Sequence, residues 1–255
     1  DGLESVGTSE VQAFIEQVES IDFEELQTLV TKGATNDGIP EALEPAPVIP
    51  RHPKDEETFR SAGEQLIRQG EIAAFTVAGG QGTRLGWNGP KGTYPATPIT
   101  GKPLFRVFAE QLNAIDQRYG IETPWYLMTS PLNDAATHAF FRDNNYFGRS
   151  PESMLLFPQG VMPAVDDEGR ILLEAPGVIA VSPDGHGGSL RALARSGALD
   201  HAADRGVKHL SYFQVDNPTV HAIDPLFIGL HANHPASSGE MSSKMVPKIA
   251  AGEKV

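Results

Sequence analysis

The sequence predicts an α/β fold in which a parallel or mixed sheet is flanked by helices. Strand-like apolar runs alternate with helix-like stretches along most of the chain, which is the pattern of repeated βαβ units. The first convincing strand, 72–77, is apolar on both faces, as expected in the middle of a parallel sheet covered by helices. A glycine-rich segment, 78–86, follows it directly, and open α/β sheets bind ligands at the carboxyl ends of their strands.

The individual elements follow from the spacing of apolar residues and from the positions of glycine, proline and capping residues. Helical spacing predicts helices within 9–32, with Asp22 placed three residues before Glu25 as in a capping box. Closely spaced prolines predict an extended linker over 39–53, and a small hairpin insert is predicted at 166–172. The other predicted elements are helix 55–69, strand 72–77, helix 104–119, strand 125–129, helix 133–144, strand 154–157, helix 190–205 and strand 209–215.

The domain organisation is predicted as two regions. Residues 1–53 form an N-terminal helical region with its proline-rich linker, and residues 54–255 form the α/β domain. The last strand-like stretch, 243–249, is followed by no partner strand, so we expect this domain to have a further C-terminal part.

Composition narrows the classes of partner and chemistry. The 255-residue chain has a formal net charge of −13 and no cysteine, which excludes disulfides, thiolate metal sites and cysteine nucleophiles. An acidic balance disfavours nucleic acid as a partner, and no apolar run approaches the roughly 18 residues of a membrane span. A reducing cytoplasm is the simplest setting. An acidic protein still binds phosphorylated metabolites where a few cations and amides converge in one cleft.

The glycine-rich segment is the strongest candidate for such a cleft. Glycine allows positive φ and a close approach of backbone amides to phosphate oxygens. Arg84 supplies a fork of donors, and Lys91, within Pro90-Lys91-Gly92, supplies a compact charge. These residue types in this order predict a loop that binds a polyphosphate. From the glycines alone, a glycine-rich turn with an exposed arginine is the other interpretation, and Pro90-Lys91-Gly92 weakens it.

Two common phosphate-binding loop motifs are excluded by particular residues of this segment. A P-loop requires Gly-Lys-Ser/Thr, where Gly82-Thr83-Arg84 stands here. The dinucleotide fingerprint requires a glycine at the position of Leu85, which disfavours a nicotinamide oxidoreductase.

The loop together with Pro90-Lys91-Gly92 resembles the signature of the UDP-sugar pyrophosphorylases, most closely the UDP-N-acetylglucosamine pyrophosphorylase branch. The similarity covers nearly the whole chain. Further matching motifs occur in the same order at 124–130, 146–148, 159–164, 183–188 and 215–217.

This resemblance implies a Rossmann-like nucleotide-diphospho-sugar transferase fold of the GT-A type, with a mixed sheet, and an enzyme that transfers uridylate from UTP to a sugar 1-phosphate. UDP-sugar and pyrophosphate are the products. Arg84 and Lys91 are the implied catalytic residues, and they contact the triphosphate. The implied substrate-binding residues are Ala78, Gly79, Gly80, Gly82, Gln159, Gly185, His186, Asp216 and Asn217.

Within that set, the resemblance assigns separate roles. Gln159 and Gly185 read the uracil edge, for which an amide with a donor and an acceptor is suited. Asp216 holds Mg²⁺, the implied cofactor, because this hard cation binds carboxylate and phosphate oxygens. A turn cap before Pro218 is the alternative role of Asp216 and Asn217.

His186 leaves the choice of sugar open. The acetylglucosamine branch usually has asparagine at this position, whereas histidine is more typical of glucose-type enzymes. N-acetylglucosamine 1-phosphate is the expected substrate, and glucose 1-phosphate or a broad sugar range is the alternative. A nucleotide-sugar-binding protein without turnover is an alternative of another class. His231 and His234 are interpreted as surface histidines rather than metal ligands, and 166–168 as a solvated hairpin tip.

Overall fold

The computed structural model describes residues 8–34, 48–50, 52–237 and 242–243, and these form two compact units. The smaller unit contains the described residues up to 34 together with 159–192, and the larger unit contains the others. This division differs from the boundary predicted between 53 and 54, which stays a prediction. Much of the predicted linker, and all but the first residue of the strand-like stretch 243–249, lie outside the described residues.

Helices and strands alternate along the chain as predicted. The helices are α1 (Thr8–Glu19), α2 (Phe23–Ala34), α3 (Glu56–Arg68), α4 (Leu104–Tyr119), α5 (Asp134–Asp143), α6 (Ser189–Arg195), α7 (Ala198–Asp204) and α8 (Pro225–Asn233). The strands are β1 (Ile72–Val77), β2 (Trp125–Thr129), β3 (Met154–Pro158), β4 (Val161–Pro163), β5 (Leu173–Ala175), β6 (Val178–Ile179), β7 (Val181–Pro183) and β8 (His209–Gln214). No helix in the described part of the chain combines the length and apolarity needed to cross a membrane.

The main sheet belongs to the larger unit and has the strand order β3-β2-β1-β8. All three pairings are parallel, with Ala74 of β1 opposite Trp125 on one side and Ser211 on the other. The predicted α/β fold is confirmed. The residues predicted a parallel or mixed sheet and the resemblance implied a mixed one, and the described strands of the main sheet are all parallel. The antiparallel pairs β4–β7 and β5–β6 are separate and lie in the smaller unit.

The strand order predicts a ligand crevice beside β1. The chain passes from β1 to β2 on one side, and β8 pairs with β1 on the other side, so the order reverses at β1. Open α/β sheets bind ligands at the carboxyl ends of strands next to such a reversal. The amide of Val215 donates to the carbonyl of Val77 at 3.0 Å, so the carboxyl ends of β1 and β8 are held together.

A buried aromatic core holds the sheet against α4. Phe105, Phe108 and Leu112 on that helix are fully buried, and the rings of Phe108 and Phe213 lie 4.9 Å apart. Burial of apolar side chains of this size is the main favourable term in folding. The sheet that carries the predicted site is therefore a well-packed support.

Glycines allow α3 and α8 to pack with their backbones in contact. A Cβ atom built on Gly63 would lie 1.8 Å from the carbonyl oxygen of Pro225, and one on Gly229 would lie 1.7 Å from that of Phe59. No side chain fits at either position without moving a helix, so both glycines are required by the packing.

Three local predictions have clear outcomes. Asp22 caps α2, since its Oδ1 accepts the amide of Glu25 at 2.9 Å. The hairpin insert is present, with Val165 bridging Ile171 in antiparallel fashion. The single helix predicted over 190–205 is wrong, because Gly197 adopts φ 78° and separates α6 from α7.

Candidate nucleotide site

The glycine-rich loop leaves β1 and folds back on itself. The amide of Gly82 donates to the carbonyl of Gly89 at 2.8 Å, and the amide of Lys91 donates to the carbonyl of Gly80 at 3.0 Å. These two bonds bring the Pro90-Lys91-Gly92 motif back beside the start of the loop. The two motifs that carried the sequence prediction are therefore one structural feature.

Two glycines of this loop are needed for different reasons, Gly82 for space and Gly86 for positive φ. Among the loop glycines, Gly86 takes positive φ, whereas Gly79, Gly80 and Gly82 do not, so that part of the predicted reason was wrong for these three. A Cβ atom on Gly82 would lie 2.8 Å from the side chain of Trp87, which packs against the loop. The loop thus uses the small size of glycine at Gly82 and its freedom of φ at Gly86.

Several backbone donors of the loop have no protein partner. Within the part of the chain that the structure describes, no group accepts a hydrogen bond from the amides of Gly79, Gly80 or Gln81. Backbone amides without a protein acceptor are available to donate to phosphate oxygens. The loop therefore has the donors that a polyphosphate requires.

Lys91 and Asp216 meet where the strand order predicts the crevice. Lys91 Nζ lies 2.8 Å from Asp216 Oδ2, and the two residues are 125 positions apart in sequence. Asp216 follows the end of β8, and Lys91 begins a short 3-10 turn, Lys91–Thr93. A Cβ atom on Gly80 would lie 3.2 Å from Lys91 Cε, so the lysine side chain passes close to the loop backbone. A cation and a carboxylate thus lie beside the free amides.

Arg84 and Asn217 are placed differently from Lys91 and Asp216. Arg84 is exposed on the 3-10 turn Thr83–Leu85, and the structure shows no hydrogen bond or ion pair between it and Asp216. Asn217 Oδ1 accepts the hydroxyl of Thr219 at 2.9 Å, so Asn217 performs the turn capping that was the alternative role of this pair. The carboxylate of Asp216 instead forms the ion pair with Lys91.

In the smaller unit, the two motifs predicted to read uracil are neighbours. The amide of Asp184 donates to the carbonyl of Gly160 at 3.2 Å, and Val161 of β4 pairs with Pro183 of β7. Gln159 is nearly buried, and Gly185 adopts φ 67°, a conformation that favours glycine.

The same unit contains an acidic side chain that was not predicted as a site residue. A Cβ atom on Gly160 would lie 2.4 Å from Asp184 Oδ2, and one on Gly188 would lie 1.9 Å from its Cγ. Asp184 therefore occupies the space that these two glycines leave. The side chain of His186 is exposed, and its carbonyl accepts hydrogen bonds from the amide and hydroxyl of Ser189.

Family membership follows from the match of a family model. The model of the UTP–glucose-1-phosphate uridylyltransferase family matches residues 28–255. The chain belongs to this family.

Relatives within the uridylyltransferase family agree with that assignment. The UDP-N-acetylglucosamine pyrophosphorylase of Saccharomyces cerevisiae is 39% identical over 206 residues, which are 79% of this chain and 43% of the relative. UDP-N-acetylglucosamine diphosphorylase 2 of Arabidopsis thaliana is 31% identical over 270 residues, covering 99% of this chain and 53% of the relative. The chain therefore spans about half the length of the curated relatives it matches.

A solved structure supports the fold. The uridine diphosphate N-acetylglucosamine pyrophosphorylase of Trypanosoma brucei, in complex with an inhibitor, superposes with a TM-score of 0.73 at 27% identity. The match covers 89% of this chain and 50% of that one. The Rossmann-like transferase fold expected from the sequence is confirmed.

Two other side chains support the loop and were not predicted as site residues. Trp87 Nε1 donates to Thr93 Oγ1 at 2.8 Å, which ties the outer part of the loop to the turn that carries Lys91. Asn133, which precedes α5, donates hydrogen bonds to the carbonyls of Ala78 and Gly80 in the loop. Asparagine at that position reads as an ordinary helix-start residue, so the sequence held no separate signal for it.

The contacts of His231 are to a serine and to another histidine. His231 Nδ1 lies 3.0 Å from Ser242 Oγ, and its ring meets that of His209 edge-on at 5.3 Å. Among the described residues, no group of three or more histidine or carboxylate side chains is arranged to hold a metal ion.

Proposed function

We propose that the protein transfers uridylate from UTP to a sugar 1-phosphate, with N-acetylglucosamine 1-phosphate as the preferred acceptor. The observation that carries the proposal is the 2.8 Å contact between Lys91 and Asp216 beside the unpaired amides of the loop. Phosphoryl transfer depends on positioning and electrostatic stabilisation more than on covalent chemistry by the protein. Donors, a cation and a carboxylate at one edge of the sheet suit that requirement.

Each group at the crevice has a role in this reaction. The amides of Gly79 and Gln81 bind phosphate oxygens, and Lys91 and Arg84 neutralise charge on the triphosphate. An ionised oxygen of the sugar phosphate attacks the α-phosphorus of UTP. The bond from that phosphorus to the oxygen that bridges it to the β-phosphorus breaks. The electron pair leaves with pyrophosphate. No general base is needed, because the attacking phosphate is already ionised at neutral pH.

Magnesium is part of the proposal, and the chemistry of Asp216 suits it. The carboxylate of Asp216 is 42% exposed at the end of β8, so it is accessible to a cation and to phosphates. Magnesium sites commonly use one or two carboxylates together with substrate phosphates. Asp216 would hold the ion, which when bound supplies positive charge to the phosphate oxygens.

The uracil and sugar roles are proposed for residues of the smaller unit. Gln159 and Gly185 are proposed to read the uracil, and His186 to contact the sugar. The preference for N-acetylglucosamine 1-phosphate is supported by the names of relatives at 31% and 39% identity. Glucose 1-phosphate remains the second candidate because of His186. A cytoplasmic setting stays a prediction from composition.

The proposal is tested by pyrophosphate release from UTP with each sugar 1-phosphate, using full-length protein. We expect release with N-acetylglucosamine 1-phosphate at a higher kcat/KM than with glucose 1-phosphate. A reversed ratio supports the glucose alternative. If calorimetry shows UDP-sugar binding while no sugar phosphate gives any release, the protein is a binding protein and the catalytic proposal fails.

A further inference from the structure

The side chain of Asn133 contacts the backbone of the glycine-rich loop. It lies between β2 and α5 and is 1% exposed. Its Nδ2 donates to the carbonyl of Ala78 at 3.1 Å and to that of Gly80 at 3.3 Å. Its Oδ1 accepts the amide of Ser130 at 2.8 Å. Because carbonyls only accept and amides donate, these partners allow one orientation of the asparagine amide.

These contacts, together with the hydrogen bond from the amide of Lys91 to the carbonyl of Gly80, determine where the free donors of the loop point. In a planar trans peptide, the carbonyl of one residue and the amide of the next point in opposite directions. The carbonyls of Ala78 and Gly80 are directed toward Asn133, so the amides of Gly79 and Gln81 are directed away from it. Both are among the amides that have no acceptor in the described part of the protein.

A purely helix-capping role does not account for this arrangement. Asn133 occupies the N-cap position of α5, yet its side chain makes no capping hydrogen bond to that helix. The side-chain amide of Asn133 instead donates to the carbonyls of Ala78 and Gly80 and accepts from the backbone amide of Ser130. The geometry therefore links this side chain to the loop rather than to the helix.

We propose that Asn133 is a positioning residue for nucleotide binding. It holds the loop in the form in which the amides of Gly79 and Gln81 face the phosphates of UTP. This inference rests on the proposed function, and Asn133 itself does not contact the nucleotide.

The test is Asn133→Asp, which keeps the size and the acceptor for Ser130 but replaces the donor with a carboxylate oxygen facing two carbonyls. We expect the Kd and the KM for UTP to rise at least about tenfold, as when one well-placed interaction is lost. The KM for the sugar 1-phosphate should stay unchanged. A loss of folded protein would instead lower kcat and leave both KM values as they were.

The matched control is Asn144→Asp at the other end of α5. Asn144 is exposed, and its Nδ2 donates to the carbonyl of Phe140 at 2.8 Å, so the chemical change is the same at a site away from the loop. We expect no change in either KM. If Asn133→Asp does not fold, Asn133→Ala introduces no charge and is expected to give the same selective rise for UTP.

The outcomes separate this inference from the proposed function. Unchanged Kd and KM for UTP in a folded Asn133 variant overturn the positioning role, while turnover by the wild type leaves the function intact. If wild-type protein binds no UTP in calorimetry, the proposed function fails and the inference fails with it.

Discussion

Lys91 Nζ and Asp216 Oδ2 lie 2.8 Å apart at the carboxyl ends of two neighbouring parallel strands. Lys91 follows the loop after β1, and Asp216 follows β8, so the contact exists only because the sheet places these strands side by side. It joins the two motifs on which the proposed chemistry depends.

Loss of either charge of this pair should impair turnover while the fold is kept. Lys91→Met and Asp216→Asn preserve side-chain size, and we expect each to lower kcat/KM by roughly two to three orders of magnitude, as for removal of a preorganised electrostatic contact. Steady-state pyrophosphate release measures this effect. Lys102→Met is the control, because Lys102 pairs with Glu110 at 2.6 Å elsewhere in the same unit. Equal losses in all three variants would contradict a special role for the pair.

Trp87 should report nucleotide binding by its fluorescence. Its ring packs against Gly82, whereas Trp125, the other tryptophan, is buried in the core. We expect UTP to change the emission of the wild-type protein and to leave that of Trp87→Phe unchanged. A response that persists in Trp87→Phe would show that the nucleotide does not alter the loop at this point.

Substitution of Gly229 should destabilise the larger unit. In Gly229→Ala, the new methyl group would overlap the carbonyl of Phe59, so α3 and α8 must separate. We expect a loss of about 1–3 kcal/mol in the free energy of unfolding, as for overpacking in a core. Urea unfolding measures it. Gly187→Ala, at an exposed position with nothing near the added methyl, should cost less than about 0.5 kcal/mol.

Stability should fall as the pH drops below the ordinary pKa of histidine. Burial lowers the pKa of His209 below its usual 6.5, and nearby His231 lowers it further. The unfolded chain therefore binds a proton at a higher pH than the folded one, so unfolding is favoured as pH falls through about 6.5. Urea unfolding near neutrality and near pH 5.5 should show a smaller difference in His209→Gln. An identical pH dependence in that variant would exclude His209 as the cause.

The sequence predicted the main sheet because its signals are local. Apolar runs such as 72–77 and the glycine-rich loop after it are readable from neighbouring residues. The short strands β4 to β7 were missed, since two or three residues show no periodicity. The break at Gly197 was also missed, because one glycine within a helical pattern is often tolerated.

The contacts within the candidate site could not be predicted in the same way. Lys91 and Asp216 were expected to serve the same substrate, but their direct contact depends on the order of strands in the sheet. Asn133 was included in a predicted helix, and its role depends on a loop 53 residues earlier in the chain. Pairings of this kind come from tertiary structure rather than from local sequence.

The most direct test of uridylyl transfer at this crevice is the reverse reaction, in which radiolabelled pyrophosphate and UDP-N-acetylglucosamine are converted to labelled UTP. We expect label in UTP with the wild-type protein, and almost none with Lys91→Met or Asp216→Asn. Absence of labelled UTP with every UDP-sugar, or undiminished labelling in both variants, would contradict the assignment of uridylyl transfer to this site.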